Sequence, residues 1–232
     1  MTPPISVIIP ALNEEQTIGE VVRSLASPLV HEVIVIDNGS TDSTAAAAKS
    51  AGAIVISEPR RGYGHACATG VASANPSSDI FVFLDGDGSD VTTQLASIAT
   101  PVLEGRYDFV IGSRMRGQRE PGSMLPSQVF AGCLAGLLIR LRYGVRYTDM
   151  GPFRAISRSA LAKLNMSEMT YGWNLEMQMK AARDGLRILE IPVDYRNRQG
   201  GISKVAGSLT GSFKAAIRIA RVFLAIAFQR ER

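Results

Sequence analysis

Short β-branched runs alternate with helix-forming stretches through the first half of the chain, and this alternation limits the fold more than any other feature. Ile5–Ile9, Val33–Ile36, Ile54–Ile56, Ile80–Leu84 and Phe109–Ile111 read as strands. They are nearly continuous apolar runs, the pattern of a mostly parallel sheet covered on both faces. Residues 14–26, 43–51 and 91–104 read as the intervening helices, which gives βαβ units and the α/β class. Four of these strands end in loops rich in Asp, Gly, Ser or Arg: Asn13-Glu-Glu15, Asp37-Asn-Gly-Ser-Thr-Asp42, Asp85-Gly-Asp-Gly-Ser-Asp90 and Gly112-Ser-Arg114. Ligands of open α/β sheets bind beyond the carboxyl ends of the strands, so these loops are the candidate site. Past residue 125 the pattern loosens into an apolar helix near 127–141, a loop from Thr148 to Phe153, a helix over 172–184, a strand over 186–195 and a basic tail. No internal repeat or linker divides residues 1–200.

Composition narrows the class further. With 46% apolar and 20% charged residues the chain is globular. Cys67 and Cys133 stand far apart without CxxC spacing, which excludes a disulfide framework or a cysteine zinc site and fits a reducing, cytoplasmic setting. Met-Thr-Pro-Pro runs straight into the first strand with no secretion signal. The longest apolar run, Val129–Ile139, is too short to span a bilayer. The net charge of +4 is unevenly placed: Arg196–Arg232 carries eight Lys/Arg against one acid, a local +7, which leaves residues 1–195 at −3. A mildly acidic body with aspartates at its strand ends disfavours nucleic acid.

Asp85 and Asp87 lie two apart at a strand end, where the period of extended chain points both carboxylates one way. Their hard oxygens suit Mg²⁺ or Mn²⁺, and Mg²⁺ usually completes its shell with water and phosphate oxygens, so the pair implies a diphosphate ligand. Asp90 is a candidate outer ligand. A Gly/Asp-rich turn capping the next helix would use the same residues.

An ordered set extends that motif: Pro10-Ala-Leu-Asn-Glu14, Asp37-x-Gly-Ser-Thr-Asp42, Arg61-Gly-Tyr-Gly-His-Ala66, Asp85-x-Asp87, Gly112-Ser-Arg114, Asp149-Met-Gly-Pro-Phe-Arg154, Trp173-x-x-Glu176 and Ser203-Lys204. In order and approximate spacing it resembles the family 2 glycosyltransferases of the GT-A fold, and within them the dolichyl- or polyprenyl-phosphate sugar synthases. The resemblance implies a GT-A domain over 1–205, a basic amphipathic tail helix over 206–232, and inverting transfer of a hexose from a UDP- or GDP-sugar to a polyprenyl phosphate. It implies that Pro10, Asn13, Glu14 and Asp37 hold the nucleotide and that Asp85 and Asp87 anchor metal and diphosphate. Arg114, Ser203 and Lys204 would neutralise phosphates. His65 stands where the family often has Lys or another polar residue, and is not assigned a role.

A phosphate-monoester acceptor has a second pKa near 6 and needs little help from a base. A hydroxyl acceptor needs one, with Glu176 the first candidate and Asp149 the second, unless these pair with Arg154 or position other groups. The lipid acceptor draws support from the apolar 129–141 segment and from the tail. There Lys214, Arg218 and Arg221 fall within about 60° on a helical wheel, opposite an apolar arc. That arc suits the cytoplasmic face of a membrane, or equally docking on the domain or on a second copy in a homo-oligomer. Two other functions use the same residues: a same-fold transferase acting on a soluble or other hydroxyl acceptor, and, remotely, a haloacid-dehalogenase-type phosphatase with Asp85 as nucleophile.

Overall fold

The computed structural model describes residues 5–200 and 220–227. Strand β1 (Ile5–Ala11) lies inside a seven-stranded sheet, and its alternation separates two core layers. Ile8 packs in one layer with Ile34, Ile36, Phe81, Phe83 and Phe109. Val7 and Ile9 pack in the other with Val35, Val82 and Val110. Helices α3 (Tyr63–Ser73), α5 (Pro126–Tyr143), α6 (Arg158–Leu164) and α7 (Trp173–Arg183) cover the first layer. The second is covered by α1 (Ile18–Ser24), α2 (Thr44–Ser50) and α4 (Leu95–Leu103).

β1 pairs in parallel with β2 (Val30–Asp37) on one side and β4 (Ile80–Phe83) on the other, and β3 (Ile54–Ser57) extends β2. Crossovers therefore diverge at β1, and a crevice opens past Ala11, Asp37 and Phe83. Beyond β4 the sheet reverses. β6 (Arg154–Ser157) enters antiparallel between β4 and β5 (Phe109–Ser113), and β7 (Ile188–Pro192) closes the far edge parallel to β5. The order is β3-β2-β1-β4-β6-β5-β7. Arg154 opens β6 opposite Phe83 and Ile111, so it stands beneath the carboxyl ends of both neighbours.

The sheet is mostly parallel, as expected, with β6 as its one antiparallel strand among the described residues; Arg-Ala-Ile-Ser is too short and too weakly β-branched to read as a strand from sequence. Two expectations change. The first helix begins at Ile18 rather than residue 14: Asn13 has φ 53°, and the Glu14 and Glu15 N–H groups donate to Thr44 Oγ1 and Asp42 Oδ2 in the next loop. Residues 92–94 form a 3-10 turn ahead of α4. α7, by contrast, lies within one residue of the expected helix at each end.

Of the tail, residues 220–227 are described and are helical. Val222, Ile226 and Ala227 are buried in the core layer that contains Trp173, and Arg142 donates to the Ala227 carbonyl at 3.3 Å. This part docks on its own domain, with Leu224 facing out. Among the described residues no helix is long and apolar enough to cross a membrane.

Candidate active site

The loops past β1, β2, β4 and β5 converge on a cavity of about 690 Å³. One wall of it is formed by Pro10, Glu14 and Asn38. Asn13 and Asp37 hold the turns behind that wall: Asn13 Oδ1 accepts from the Thr41 N–H at 2.8 Å, and Asp37 Oδ1 from the Ser40 N–H at 2.9 Å. Asn tolerates the left-handed backbone at position 13. Asn38 bonds both ways, donating to the Glu58 and Arg60 carbonyls and accepting from the Gly62 N–H. This fixes the start of α3, so that Arg61, Gly62 and Tyr63 line the cavity. Gly62 has φ 147°, and a Cβ there would lie 2.3 Å from the Met169 carbonyl oxygen. His65 is not among the lining residues.

Asp85 and Asp87 both reach the cavity, although β4 ends at Phe83 and a turn with Gly88 at φ 76°, rather than extended chain, presents them. Asp87 Oδ1 accepts from the Ser89 N–H at 2.9 Å and from its hydroxyl. Asp90 Oδ2 accepts from the Asp85 N–H at 3.0 Å, while buried Oδ1 has no hydrogen-bond partner. Burial first, and then the charges of Asp87 and Asp90, push the Asp85 carboxyl well above the usual range. Burial also raises Asp90 to about 7, against the Asp85 N–H bond that opposes it. Asp85 and Asp90, packed this way, resist ionisation without an added cation. Hard oxygens with an orphaned buried acceptor among them fit a divalent ion. No group of three or more His, Cys, Asp or Glu among the described residues makes a metal site alone, so other oxygen ligands must complete such a shell, as Mg²⁺ sites commonly require.

Arg114 also lines the cavity. Its Nε and Nη2 donate to Asp149 Oδ2 and Oδ1 at 2.7 and 2.8 Å, its own N–H to Oδ2 at 2.9 Å, and its guanidinium lies 4.9 Å from the Tyr195 ring centre. Burial would raise the Asp149 carboxyl, but the Arg114 hydrogen bonds and charge outweigh it and hold it below the usual value. Glu190 supports this pair by accepting from the Thr148 and Asp149 N–H groups at 2.8 and 3.2 Å. Asp149 is thus an ion-paired anchor, poorly suited to act as a base, and it bonds Arg114 rather than Arg154. Arg154 is fully buried and donates to the Asn174 and Gly151 carbonyls.

Glu176 does not line the cavity. It is 1% exposed on the inner side of α7, with its carboxylate taken by the Ser167 N–H and hydroxyl, the Glu168 N–H at 2.7 Å and Lys180 Nζ at 2.8 Å. A carboxylate with this many donors ties the 167–168 loop to α7. Ser203 and Lys204 lie outside the described residues.

The residue that sequence reasoning missed is Arg198. Its guanidinium reaches Glu14 Oε1 and Asp87 Oδ2, each at 2.8 Å. The available signal was Arg196-Asn-Arg198 directly after a strand end, which counted only toward the basic tail. Leu125, just before α5, Gln128 of α5 and Tyr171 also line the cavity.

The model of Glycosyl transferase family 2 matches residues 6–164. An uncharacterized glycosyltransferase of Mycobacterium tuberculosis is 35% identical over 214 residues, covering 92% of this chain and 94% of its own. The polyprenol monophosphomannose synthase of Mycolicibacterium smegmatis is 28% identical over 223 residues, 87% of this chain and 81% of its own. The crystal structure of glucosyl-3-phosphoglycerate synthase from Mycobacterium tuberculosis with Mn²⁺, UDP-glucose and phosphoglyceric acid superposes with a TM-score of 0.77 at 25% identity, covering 99% of this chain and 81% of that one. The fold is of the GT-A type shared with that neighbour.

Proposed function

Because the chain belongs to glycosyl transferase family 2, we propose that it transfers a sugar from a UDP-sugar to a phosphate-bearing acceptor, with Mg²⁺ or Mn²⁺ held by Asp85 and Asp87. The observation that carries this reading is that the carboxylates of Asp85 and Asp87 and the guanidinium groups of Arg114 and Arg198 line one cavity. A bound divalent ion would stabilise the leaving diphosphate. Pro10, Glu14 and Asn38 are placed to hold the nucleoside, and Arg114, fixed by Asp149, presents its outer edge to an acceptor phosphate.

A soluble acceptor is the first reading. The crystallised neighbour holds phosphoglyceric acid beside Mn²⁺ and UDP-glucose, and the same cavity has room for a small anion beside a nucleotide sugar. A lipid phosphate is the second, supported by one feature of this chain: Phe130, Leu134, Leu137 and Leu141 form an exposed apolar stripe along α5 that begins at the cavity rim near Leu125. No acid occurs from Pro126 to Arg146, and Arg140, Arg142 and Arg146 flank the stripe, a pattern suited to an anionic membrane surface. The phosphatase reading has no support from the family.

The test offers purified protein radiolabelled UDP-sugars with Mn²⁺ and, in separate arms, 3-phosphoglycerate and undecaprenyl phosphate in detergent. Label entering an anionic water-soluble product supports the first acceptor class, and label entering the organic phase the second. Transfer to neutral hydroxyl compounds alone would refute the phosphate-bearing acceptor.

A further inference from the structure

The segment after β7 lines the cavity through Tyr195, Asn197 and Arg198 and is stitched to the loop after β4. The Arg196 N–H donates to the Ser89 carbonyl at 2.9 Å, and the Gln199 N–H to the Asp87 carbonyl at 3.1 Å. Between these two bonds Arg198 turns inward, 2.8 Å from Asp87 Oδ2 and 2.8 Å from Glu14 Oε1. Asp87's other oxygen already accepts from Ser89. Each oxygen of Asp87 thus has a protein donor on it, and a cation that binds Oδ2 competes there with the positive charge of the guanidinium.

Displacement has a cost that depends on what replaces the lost anion. Arg198 is 28% exposed along its side chain and Asp87 5%, so the pair is partly shielded from water, and its rupture leaves the guanidinium one anionic partner, Glu14, in place of two. A metal ion arriving alone offers the guanidinium no new partner. A nucleoside diphosphate arriving with the metal does, since its phosphate oxygens can accept the same fork.

We propose that Arg198 is a positioning residue that makes divalent-cation binding conditional on the nucleotide. It holds Asp87 closed against the bare ion and releases it when a diphosphate supplies the replacement anion. The inference rests on the reading of Asp85 and Asp87 as the metal site. It assigns to one side chain the coupling free energy between two ligands, which by linkage is the same in both directions.

The experiment titrates Mn²⁺ into the full chain, with and without UDP, and follows free Mn²⁺ by electron paramagnetic resonance. In wild type, UDP should tighten Mn²⁺ binding strongly. In Arg198→Gln, Mn²⁺ without UDP should bind about tenfold more tightly than in wild type, and the tightening by UDP should shrink by about the same factor. Arg198→Lys, which keeps the charge but offers a single point contact in place of a fork, should fall between them. It also decides the matter if Arg198→Gln does not fold. Unchanged Mn²⁺ affinity in the folded variants, with normal UDP-assisted binding in wild type, overturns the coupling and leaves the metal site standing. No Mn²⁺ binding to wild type even with UDP overturns the metal site and the coupling together.

Discussion

Replacing Asp149 by Asn should remove the charge that holds Arg114 while keeping an acceptor for the Arg114 N–H. The pair is buried, with the two side chains 14% and 3% exposed, and is joined by two side-chain hydrogen bonds and one from the backbone. Solvent screening is slight at that exposure. Leaving one member of such a pair uncompensated costs about 3–5 kcal/mol. At roughly 2–4 °C per kcal/mol for a domain of this size, Tm should fall by roughly 6–20 °C. Adding Arg114→Met removes the stranded guanidinium, so the double variant should recover much of the lost stability, yet stay inactive if Arg114 contacts phosphate. Acidity provides a second check. Because Arg114 holds the folded carboxyl below the usual aspartate value, its contribution is complete above that usual value and disappears as pH falls through the folded one. Wild type and Asp149→Asn should therefore converge in acid. Urea melts from pH 3 to 8, read beside UDP release from a UDP-sugar, measure both effects. An Asp149→Asn protein within about 1 kcal/mol of wild type at pH 7, or a double variant no more stable than the single, would refute the reasoning.

Further outcomes follow from the same geometry. Asp90→Asn should stabilise the metal-free protein above pH 7: a carboxyl raised to about 7 when folded makes stability decline as pH rises from about 4, and the neutral amide removes that slope in thermal melts. Asp87→Ala should abolish transfer and Mn²⁺-dependent UDP binding, as calorimetry would show. Glu176→Gln should lower Tm but leave kcat of the folded fraction within about threefold, whereas loss of a general base would cost about a hundredfold or more. Phe130→Ser with Leu141→Ser should reduce co-sedimentation with anionic vesicles if a lipid acceptor is used, and leave transfer to soluble acceptors intact.

How much of this was legible in the sequence depended on whether a residue's role was set locally. The parallel strands β1 to β5 announced themselves because a doubly covered strand is apolar throughout, and α7 because its turn signals lie next to it. The Asp-x-Asp pair was legible as chemistry, although a turn rather than the strand's own period delivers it. Glu176 misled because one acid in a helix carries no mark of whether it faces acceptor or loop. Its four donors come from Ser167, Glu168 and Lys180, two of them backbone groups that sequence does not display. β6 was invisible for a related reason: a four-residue strand is stabilised by neighbours on both sides, not by its own propensity. Arg198 could be counted, but its partners Glu14 and Asp87 lie far away in the chain.

The reversed strand also bears on how the protein is made. β4 and β5 follow one another in the chain yet never touch as strands, because β6 fills the place between them. Until residue 157 has left the ribosome, the nascent chain carries β1, β2, β3 and β4 with the β4 edge open, presenting Ile80-Phe-Val-Phe83. An exposed apolar edge of that kind invites pairing with other chains. Synthesis that pauses between the ends of β5 and β6 should therefore yield aggregates, whereas a pause after β6 should not.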